Sequence, residues 1–307
     1  MNKRSPLQLA MLSLKGIAMG AADVVPGVSG GTIAFISGIY EELIESINAI
    51  NFGAIKVWKN EGFGSFWKHI NGTFFVFLFA GIGISIVSLA KLVTHLLDKH
   101  PVLLWSFFFG LIIASVLLIS KSIKKWSPRV ILAILLGAGV AFYLTTLQSV
   151  ATVDAKWFVL LSGAVAICAM ILPGISGAFI LLLLGSYDQV LQAINDKDLV
   201  IIGIFAVGCM IGLLSFARIL KYLFNKYKNM TIALLTGFMV GSLNKVWPWK
   251  DTLAYRENRH GEMVPFIQEN VLPGQFDGNA QLGVALGCVA FGFLLIFILE
   301  RFAPKEV

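Results

Sequence analysis

Charged residues are scarce in this sequence. Only 13% of its 307 residues are Asp, Glu, Lys or Arg, against about 25% in soluble domains, and 57% are hydrophobic. The mean hydropathy is +0.83. This composition excludes a soluble enzyme or binding domain and indicates a membrane protein.

Cysteine and histidine are also scarce. The three cysteines, Cys168, Cys209 and Cys288, each lie alone in an apolar run, without the C-x-x-C spacing of metal and redox sites. The four histidines lack the H-E-x-x-H spacing of zinc enzymes. We therefore expect packed thiols, no metal site and no cofactor.

Acidic residues are fewer than basic ones, with 17 Asp and Glu against 24 Lys and Arg, so the formal net charge is +7. The basic residues lie in short segments between apolar runs, where they orient a membrane protein and face anionic lipid. The excess of positive charge therefore predicts a membrane as the partner and no nucleic acid.

Long uncharged runs are plentiful. A helix needs about 20 residues to cross ~30 Å of hydrocarbon. Several runs reach this length, and one slightly shorter run has ends that can extend to the membrane surface. The predicted spans are residues 70–90, 101–120, 130–153, 199–217, 229–244 and 278–299.

An internal repeat divides the chain. A shift of 147 positions places Pro26 on Pro173, and the match continues through the following residues. A second shift of 127 positions places Lys91 on Arg218. The sequence therefore predicts two duplicated membrane units, residues 1–150 and 151–307.

Each unit contains an apolar segment that is interrupted by proline and glycine, at Pro26 and Gly27 and again at Pro173 and Gly174. Each limb of about 15 residues reaches only ~22 Å as a helix, so two limbs predict a hairpin that enters the membrane and returns. The break frees backbone groups that lipid cannot satisfy, so it must be buried in protein or line a wet cavity. These re-entrant hairpins are expected over residues 8–48 and 157–194.

Loop charge distinguishes a re-entrant hairpin from a full crossing. If both hairpins are re-entrant and the N-terminus is inside, the three Lys-rich loops all face the cytoplasm. Each half then crosses three times, an odd number, so the halves insert in opposite orientations. The predicted fold class is all-α: a polytopic membrane protein with two inverted-topology repeats, each with one re-entrant helical hairpin and about three transmembrane helices, and with both termini cytoplasmic. The Lys-rich loops are residues 51–69, 121–129 and 218–228.

The hairpin tips are candidate anion sites. A helix that begins inside the membrane presents unpaired N–H groups and the positive end of its dipole, and glycine lets a ligand approach the backbone. The alternative is that these small residues only allow helices to pack closely. The candidate ligands for an anionic group are Ser29, Gly30, Gly31, Thr32, Ser176 and Gly177.

Two repeat-equivalent cations, Lys91 and Arg218, are expected inside membrane spans. A charge inside the membrane is costly unless it reaches the lipid headgroups or binds something. Either they extend to the headgroups, or they form a relay for an anionic group on each face.

Three acidic residues are candidates for coupling or gating. Asp23 lies just before the first break and has no acidic counterpart, so it is a candidate for proton coupling, with capping of the next turn as the alternative. Glu41 and Asp188 are repeat-equivalent and follow paired tyrosines near the hairpin bases. For these two we expect a structural or gating role rather than chemistry.

The motifs around both breaks resemble those of the bacterial polyprenyl-phosphate transporter family, long catalogued as a domain of unknown function. They are the segments at residues 20–32, 38–43 and 171–179, and the similarity runs along nearly the whole chain. The resemblance implies that the protein returns undecaprenyl phosphate, the lipid carrier of cell-wall precursors, from the outer to the cytoplasmic leaflet of the bacterial plasma membrane. We expect alternating access, coupled to a proton or a sodium ion.

Two alternatives stay open. One is a membrane phosphatase acting on undecaprenyl pyrophosphate, which also uses inverted re-entrant hairpins. The tips of that family continue with Arg-Ser, whereas Gly30-Gly31 and Gly177-Ala178 stand here, so the cation that would stabilise a transferring phosphoryl group is missing. The other alternative is a transporter for a small soluble anion.

Overall fold

The computed structural model describes residues 4–25, 28–147, 153, 155–257 and 263–302. Its described part is helical except for one two-stranded antiparallel sheet. The helices are α1 Pro6–Val24, α2 Gly30–Ile36, α3 Tyr40–Ala49, α4 Phe52–Glu61, α5 Phe63–His69, α6 Gly72–Lys99, α7 Pro101–Ser120, α8 Pro128–Thr146, α9 Lys156–Ile171, α10 Gly177–Leu183, α11 Tyr187–Asn195, α12 Leu199–Ser242 and α13 Leu282–Phe302, and the strands are β1 Lys250–Glu257 and β2 Met263–Asn270.

Five helices within the described ranges, α1, α6, α7, α8 and α12, are long and apolar enough to cross a membrane. A sixth candidate results if the bent pair α10 and α11 counts as one span. The predicted class of helical polytopic membrane protein is therefore confirmed.

Helix α12 contains a break inside the segment 218–228, where the sequence predicted the connection between two spans. At Tyr227 the backbone leaves the helical region, with φ −133° and ψ 42°. His100, which separates α6 from α7, has nearly the same conformation, φ −138° and ψ 51°. The two breaks are 127 positions apart, the same shift that relates the sequence repeats. The predicted connection is therefore confirmed at Tyr227, but its extent over 218–228 is wrong, because this segment has no glycine or proline to end the helix before Tyr227.

Both predicted hairpin segments have the same internal layout. A long helix, α1 or α9, is followed by the break, by a short helix of 7 residues, and by a third helix. The short helices α2 and α10 end near Gly38 and Gly185, whose φ values of +73° and +66° glycine adopts without a Cβ clash. The second turn bends α11 by 110° relative to α10.

Contacts along each hairpin show that the chain folds back on itself. The Lys15 ammonium in α1 donates to the Ser37 carbonyl at the end of α2, at 2.6 Å. The equivalent position in α9, Ser162, hydrogen bonds to the Ser186 hydroxyl at 2.8 Å. The Arg4 guanidinium pairs with the Glu42 carboxylate of α3, so the first hairpin returns to the level of its own start.

Glycines bring the long helices of each half into close contact. A Cβ at Gly16 of α1 would lie 2.3 Å from the Leu78 carbonyl oxygen of α6. At the equivalent positions of the second half, a Cβ at Gly163 of α9 would lie 2.6 Å from the Phe205 carbonyl oxygen of α12. Such small residues allow backbones to approach, as in membrane helix pairs.

The last helix of each half packs against the other half. A Cβ at Gly237 of α12 would lie 2.2 Å from the Ile134 carbonyl oxygen of α8. A Cβ at its equivalent, Gly110 of α7, would lie 2.0 Å from the Val289 carbonyl oxygen of α13. The two halves are therefore interlocked by a reciprocal exchange of helices.

The sheet was not predicted. β1 and β2 pair in antiparallel register, with Lys250 opposite Asn270. Trp249 packs with Val102 of α7 and Ala285 of α13, so the sheet covers the ends of these two helices. Residues 251–257 do not alternate between apolar and polar, so the period-2 pattern that indicates a strand is missing from the sequence here.

The predicted loop over 51–69 is helical as well. It forms α4 and α5, which expose Phe52, Trp58 and Phe63. Together with Lys56 and Lys59 these aromatic side chains are typical of helices that lie on a membrane surface.

Candidate functional site

The first hairpin tip is capped by the chain's own side chains. The Ser29 hydroxyl accepts a hydrogen bond from the Gly31 amide at 3.0 Å, and Asp23 Oδ1 accepts one from the Gly30 amide at 2.7 Å. Both amides belong to the unpaired donors at the start of α2. Asp23 therefore caps the turn, which was the alternative to proton coupling, and it occupies the position expected for a bound anion.

The two tips meet directly. The Ser29 hydroxyl donates to the Met170 carbonyl at 2.8 Å, and the Gly174 amide donates to Thr32 Oγ1 at 2.9 Å. A Cβ at Gly31 would lie 2.3 Å from the Ile171 carbonyl oxygen. Segments that are more than 130 positions apart in sequence are thus joined at the two breaks.

The second tip has a similar local structure. Ser176 caps α10, and its hydroxyl accepts from the Phe179 amide at 3.4 Å. Gly174 has φ +87° and packs against the Phe238 carbonyl of α12, where a Cβ would lie 2.8 Å away. Glycine is required here by both the conformation and the close approach.

The burial of the hydroxyl groups at the tips determines how a ligand could reach them. Ser29 and Thr32 are 0% exposed and Ser176 is 4% exposed, and all three hydroxyls are bonded within the protein. The structure therefore brings the predicted tip ligands together in a closed arrangement. A phosphate could reach them only after the contacts between the tips separate. Pro26 and Gly27 lie outside the described residues, while Pro173 and Gly177 lie in the second tip.

The predicted cations lie apart from the tips. Lys91 on α6 and Arg218 on α12 are exposed, and within the described ranges neither side chain forms a hydrogen bond or an ion pair. Extension to lipid headgroups fits this placement, and a role in a relay stays a prediction. Across the part of the chain that the structure describes, no three His, Cys, Asp or Glu residues are grouped so that they could hold a metal ion.

The base of the first hairpin is tied to the second half. Glu41 of α3 forms an ion pair with Lys228 of α12 at 2.7 Å. Nearby, the Asn48 side chain donates to the Ala217 carbonyl of α12 at 2.7 Å. Asp188, the equivalent of Glu41, is exposed on α11.

Sequence reasoning identified Glu41 but missed its partner Lys228 and the role of Asn48. The pairing of Asn48 with Asn195 in the repeat was a signal that this position carries a specific contact. Nothing in the local pattern indicated which helix would receive it.

Comparison with known proteins assigns the chain to a family. The family described as VCA0040-like, undecaprenyl phosphate translocase-like, matches residues 19–264. A polyprenyl-phosphate transporter of Vibrio cholerae is 50% identical over 296 residues, which cover 95% of this chain and 96% of the relative.

A polyprenyl-phosphate transporter of Staphylococcus aureus is 35% identical over 255 residues, which cover 76% of this chain and 85% of the relative. No solved structure matches the chain significantly. The motifs at the two tips lie within the matched region, and the resemblance they indicated is confirmed: the chain belongs to the undecaprenyl phosphate translocase-like family.

Proposed function

We propose that this protein transports undecaprenyl phosphate, or a closely related polyprenyl phosphate, from the outer to the cytoplasmic leaflet of a bacterial plasma membrane. The names of the relatives and of the family support transport of such a lipid rather than an enzymatic reaction. The direction follows from the need of the cell to reuse the carrier lipid inside.

The mechanism we propose is alternating access, and one observation carries it: equivalent surfaces of the two halves are packed unequally. Tyr40 of α3 is 1% exposed, with its ring 5.9 Å from that of Phe224 on α12. Its equivalent, Tyr187 of α11, is only half-buried. Helix α3 packs along the first part of α12. In the repeat, α11 corresponds to α3 and α6 corresponds to this part of α12, yet the described residues of α11 and α6 show no comparable packing.

Such unequal packing is expected of a transporter captured with one side closed. The closed side is the one at the base of α3, next to the Lys-rich segment 51–69. The positive-inside rule places this segment in the cytoplasm. The structure then corresponds to a state that opens toward the outer leaflet, with both termini in the cytoplasm.

The tips form the barrier at mid-depth in this proposal. A dianionic headgroup cannot cross hydrocarbon unaided, and the long tail can remain in lipid while the protein shields the headgroup. Rocking of the two halves separates the tips and frees the start of α2 and of α10 for the phosphate. The proposed headgroup contacts are Ser29, Gly30, Gly31, Thr32, Ser176 and Gly177, with Lys91 and Arg218 toward the two surfaces and Asp23 as the coupling group for a proton or a sodium ion.

The test is leaflet-resolved transport in proteoliposomes. A fluorescent short-chain polyprenyl phosphate is placed in both leaflets, and a membrane-impermeant quencher reports the fraction in the outer leaflet. We expect the protein to accelerate exchange of this lipid but not of a neutral polyprenol with the same label. Equal exchange of both lipids, or none, would refute the proposal, and release of phosphate from a pyrophosphate lipid would replace it with the enzyme.

A further inference from the structure

Lys250 lies at the start of β1 and turns toward the membrane helices. Its ammonium lies 3.9 Å from the centre of the Trp105 ring of α7. It donates one hydrogen bond, to the Lys245 carbonyl at 2.6 Å. An ammonium has three donors, so this contact leaves capacity for a further acceptor.

Lys245 lies in the turn after α12, and it reaches the second hairpin. Its ammonium lies 4.7 Å from the centre of the Phe179 ring, in the first turn of α10. Phe179 is also the residue whose amide is capped by Ser176. Within the described residues the Lys245 side chain donates no hydrogen bond, although it is partly buried.

Among the described residues, neither ammonium has an acidic partner. The ion pairs in the described ranges involve other lysine and arginine residues. The carboxylate adjacent in sequence, Asp251, accepts a hydrogen bond from the Asp277 amide at 3.4 Å, and successive side chains of a strand point to opposite faces. In the part of the chain that the structure describes, two cations thus share one apolar corner without an anion.

Burial and mutual repulsion make this arrangement costly. Desolvation lowers the pKa of Lys245, and desolvation together with the nearby Lys245 charge lowers the pKa of Lys250 well below its usual range. Aromatic rings recover part of the cost, since each can attract a cation by about 0.5 to 2 kcal/mol. A dianion placed between the two ammonium groups would neutralise both charges.

We infer that Lys245 and Lys250 form a binding site for a phosphate monoester at the end of the second hairpin. A terminal phosphate carries close to two negative charges at neutral pH and three acceptor oxygens, so it matches two ammonium groups with free donors. The Trp105 ring lies against the Lys250 ammonium and the Phe179 ring against the Lys245 ammonium, so both offer apolar surface to the group that carries the phosphate.

The site lies on the opposite side from the ion pair at the base of α3 if the two hairpins enter from opposite faces. The natural occupant is then the headgroup of the transported lipid, which the site holds before the tips separate. This identification rests on the proposed function. The site would then receive the phosphate at the open side, next to the capped start of α10.

The experiment measures phosphate binding directly. The full-length protein in neutral detergent is titrated in a calorimeter with inorganic phosphate and, separately, with geranylgeranyl monophosphate. Each lysine contributes charge-assisted hydrogen bonds, so we expect Lys245→Gln and Lys250→Gln each to weaken binding by about tenfold or more. Lys245→Arg and Lys250→Arg, which keep the charge, should retain most of the affinity.

Lys226→Gln is the matched control, because Lys226 also lies over aromatic rings, those of Tyr222 and Tyr227. The Lys226→Gln variant should bind phosphate with the same affinity as the unmodified protein. Within the described residues the Lys245 side chain makes no hydrogen bond, so its glutamine variant should fold even if Lys250→Gln destabilises the sheet. Unchanged binding in Lys245→Gln, or an equal loss in Lys226→Gln, would overturn the assignment.

Comparing inorganic phosphate with geranylgeranyl monophosphate distinguishes two possible ligands, the free ion and a lipid headgroup. Loss of both ligands in the glutamine variants supports a headgroup site, and loss of inorganic phosphate alone supports a site for the free ion. The outcome is independent of transport: lysine-dependent binding without lipid exchange would remove the proposed function and keep the site. Lipid exchange without lysine-dependent binding would keep the proposed function and remove the phosphate site.

Discussion

Ile47 and Ile194 occupy equivalent positions in the two halves, yet Ile47 is 5% exposed and Ile194 is 54% exposed. Both lie near the end of an amphipathic helix that follows a glycine turn, so local structure does not explain the difference. Ile47 is covered because α3 packs on the second half. In the alternating access that we propose, the packing of α3 is therefore the element that changes.

The contact between α3 and α12 should depend on Asn48. We expect Asn48→Ala to raise hydrogen exchange of the α3 amides by about fivefold, because a hydrogen bond contributes ~1 kcal/mol net. Asn195→Ala is the control at the equivalent position of α11, and it should leave exchange of α11 nearly unchanged. Mass spectrometry of the protein in nanodiscs measures both; an equal response of the two helices would contradict unequal closure.

The contact between the tips should depend on the Thr32 hydroxyl. Thr32→Val leaves the buried Gly174 amide without its acceptor, which costs about 1 to 3 kcal/mol. We expect a clearly lower midpoint of thermal unfolding in detergent. Thr32→Ser keeps the hydroxyl and should behave much more like the unmodified protein, and Thr146→Val, at an exposed helix end, should change little. A stable Thr32→Val variant would show that the tips do not need this bond.

Coupling by Asp23 is tested by a variant that keeps the cap. Asparagine can accept the Gly30 amide bond as aspartate does, so Asp23→Asn should fold normally. If Asp23 carries the coupling proton, transport by this variant should no longer respond to a pH gradient across the liposome. A response equal to that of the unmodified protein would remove Asp23 from coupling. Asp23→Ala, which loses the cap, should in addition lose about 1 kcal/mol of stability.

The interlocking of the two halves should depend on glycine in α12. In Gly237→Ala the new Cβ would meet the Ile134 carbonyl of α8 at 2.2 Å, so the helices must move apart. We expect a loss of about 1 to 3 kcal/mol, the usual cost of overpacking, seen as a lower unfolding midpoint. Gly139→Ala, on the same α8 but with nothing within 4 Å, should be neutral or slightly stabilising. Similar midpoints for both variants would rule out a close α8 contact.

Much of the fold follows from local patterns along the sequence. Hydropathy located both ends of Pro101–Ser120, and one end of each neighbouring helix, Gly72–Lys99 and Pro128–Thr146, to within a few residues, because a span must be long and uncharged. The shift of 147 positions located both breaks and the short helices Gly30–Ile36 and Gly177–Leu183. Local patterns failed on the extent of the connection at 218–228, where clustered charge predicted a loop although the residues favour helix up to the break at Tyr227.

The candidate functional site could be predicted only in part from local patterns in the sequence. The sequence indicated that Ser29, Thr32 and Gly174 are special, since glycine, proline and hydroxyl residues have local reasons to recur at a break. It did not indicate that the Asp23 carboxylate would occupy the start of α2, or that Thr32 and Gly174 would bond to each other.

The amino-acid sequence by itself determined the membrane class, the duplication and the two broken segments, because charge, hydropathy and backbone freedom act within a few turns of helix. Only the tertiary structure decided that the tips close on each other, that Ile47 of α3 is buried while its equivalent Ile194 of α11 is exposed, and that Lys245 and Lys250 share one corner. These features depend on distances between segments that are far apart in the chain, and such distances result from the packing of all the helices together.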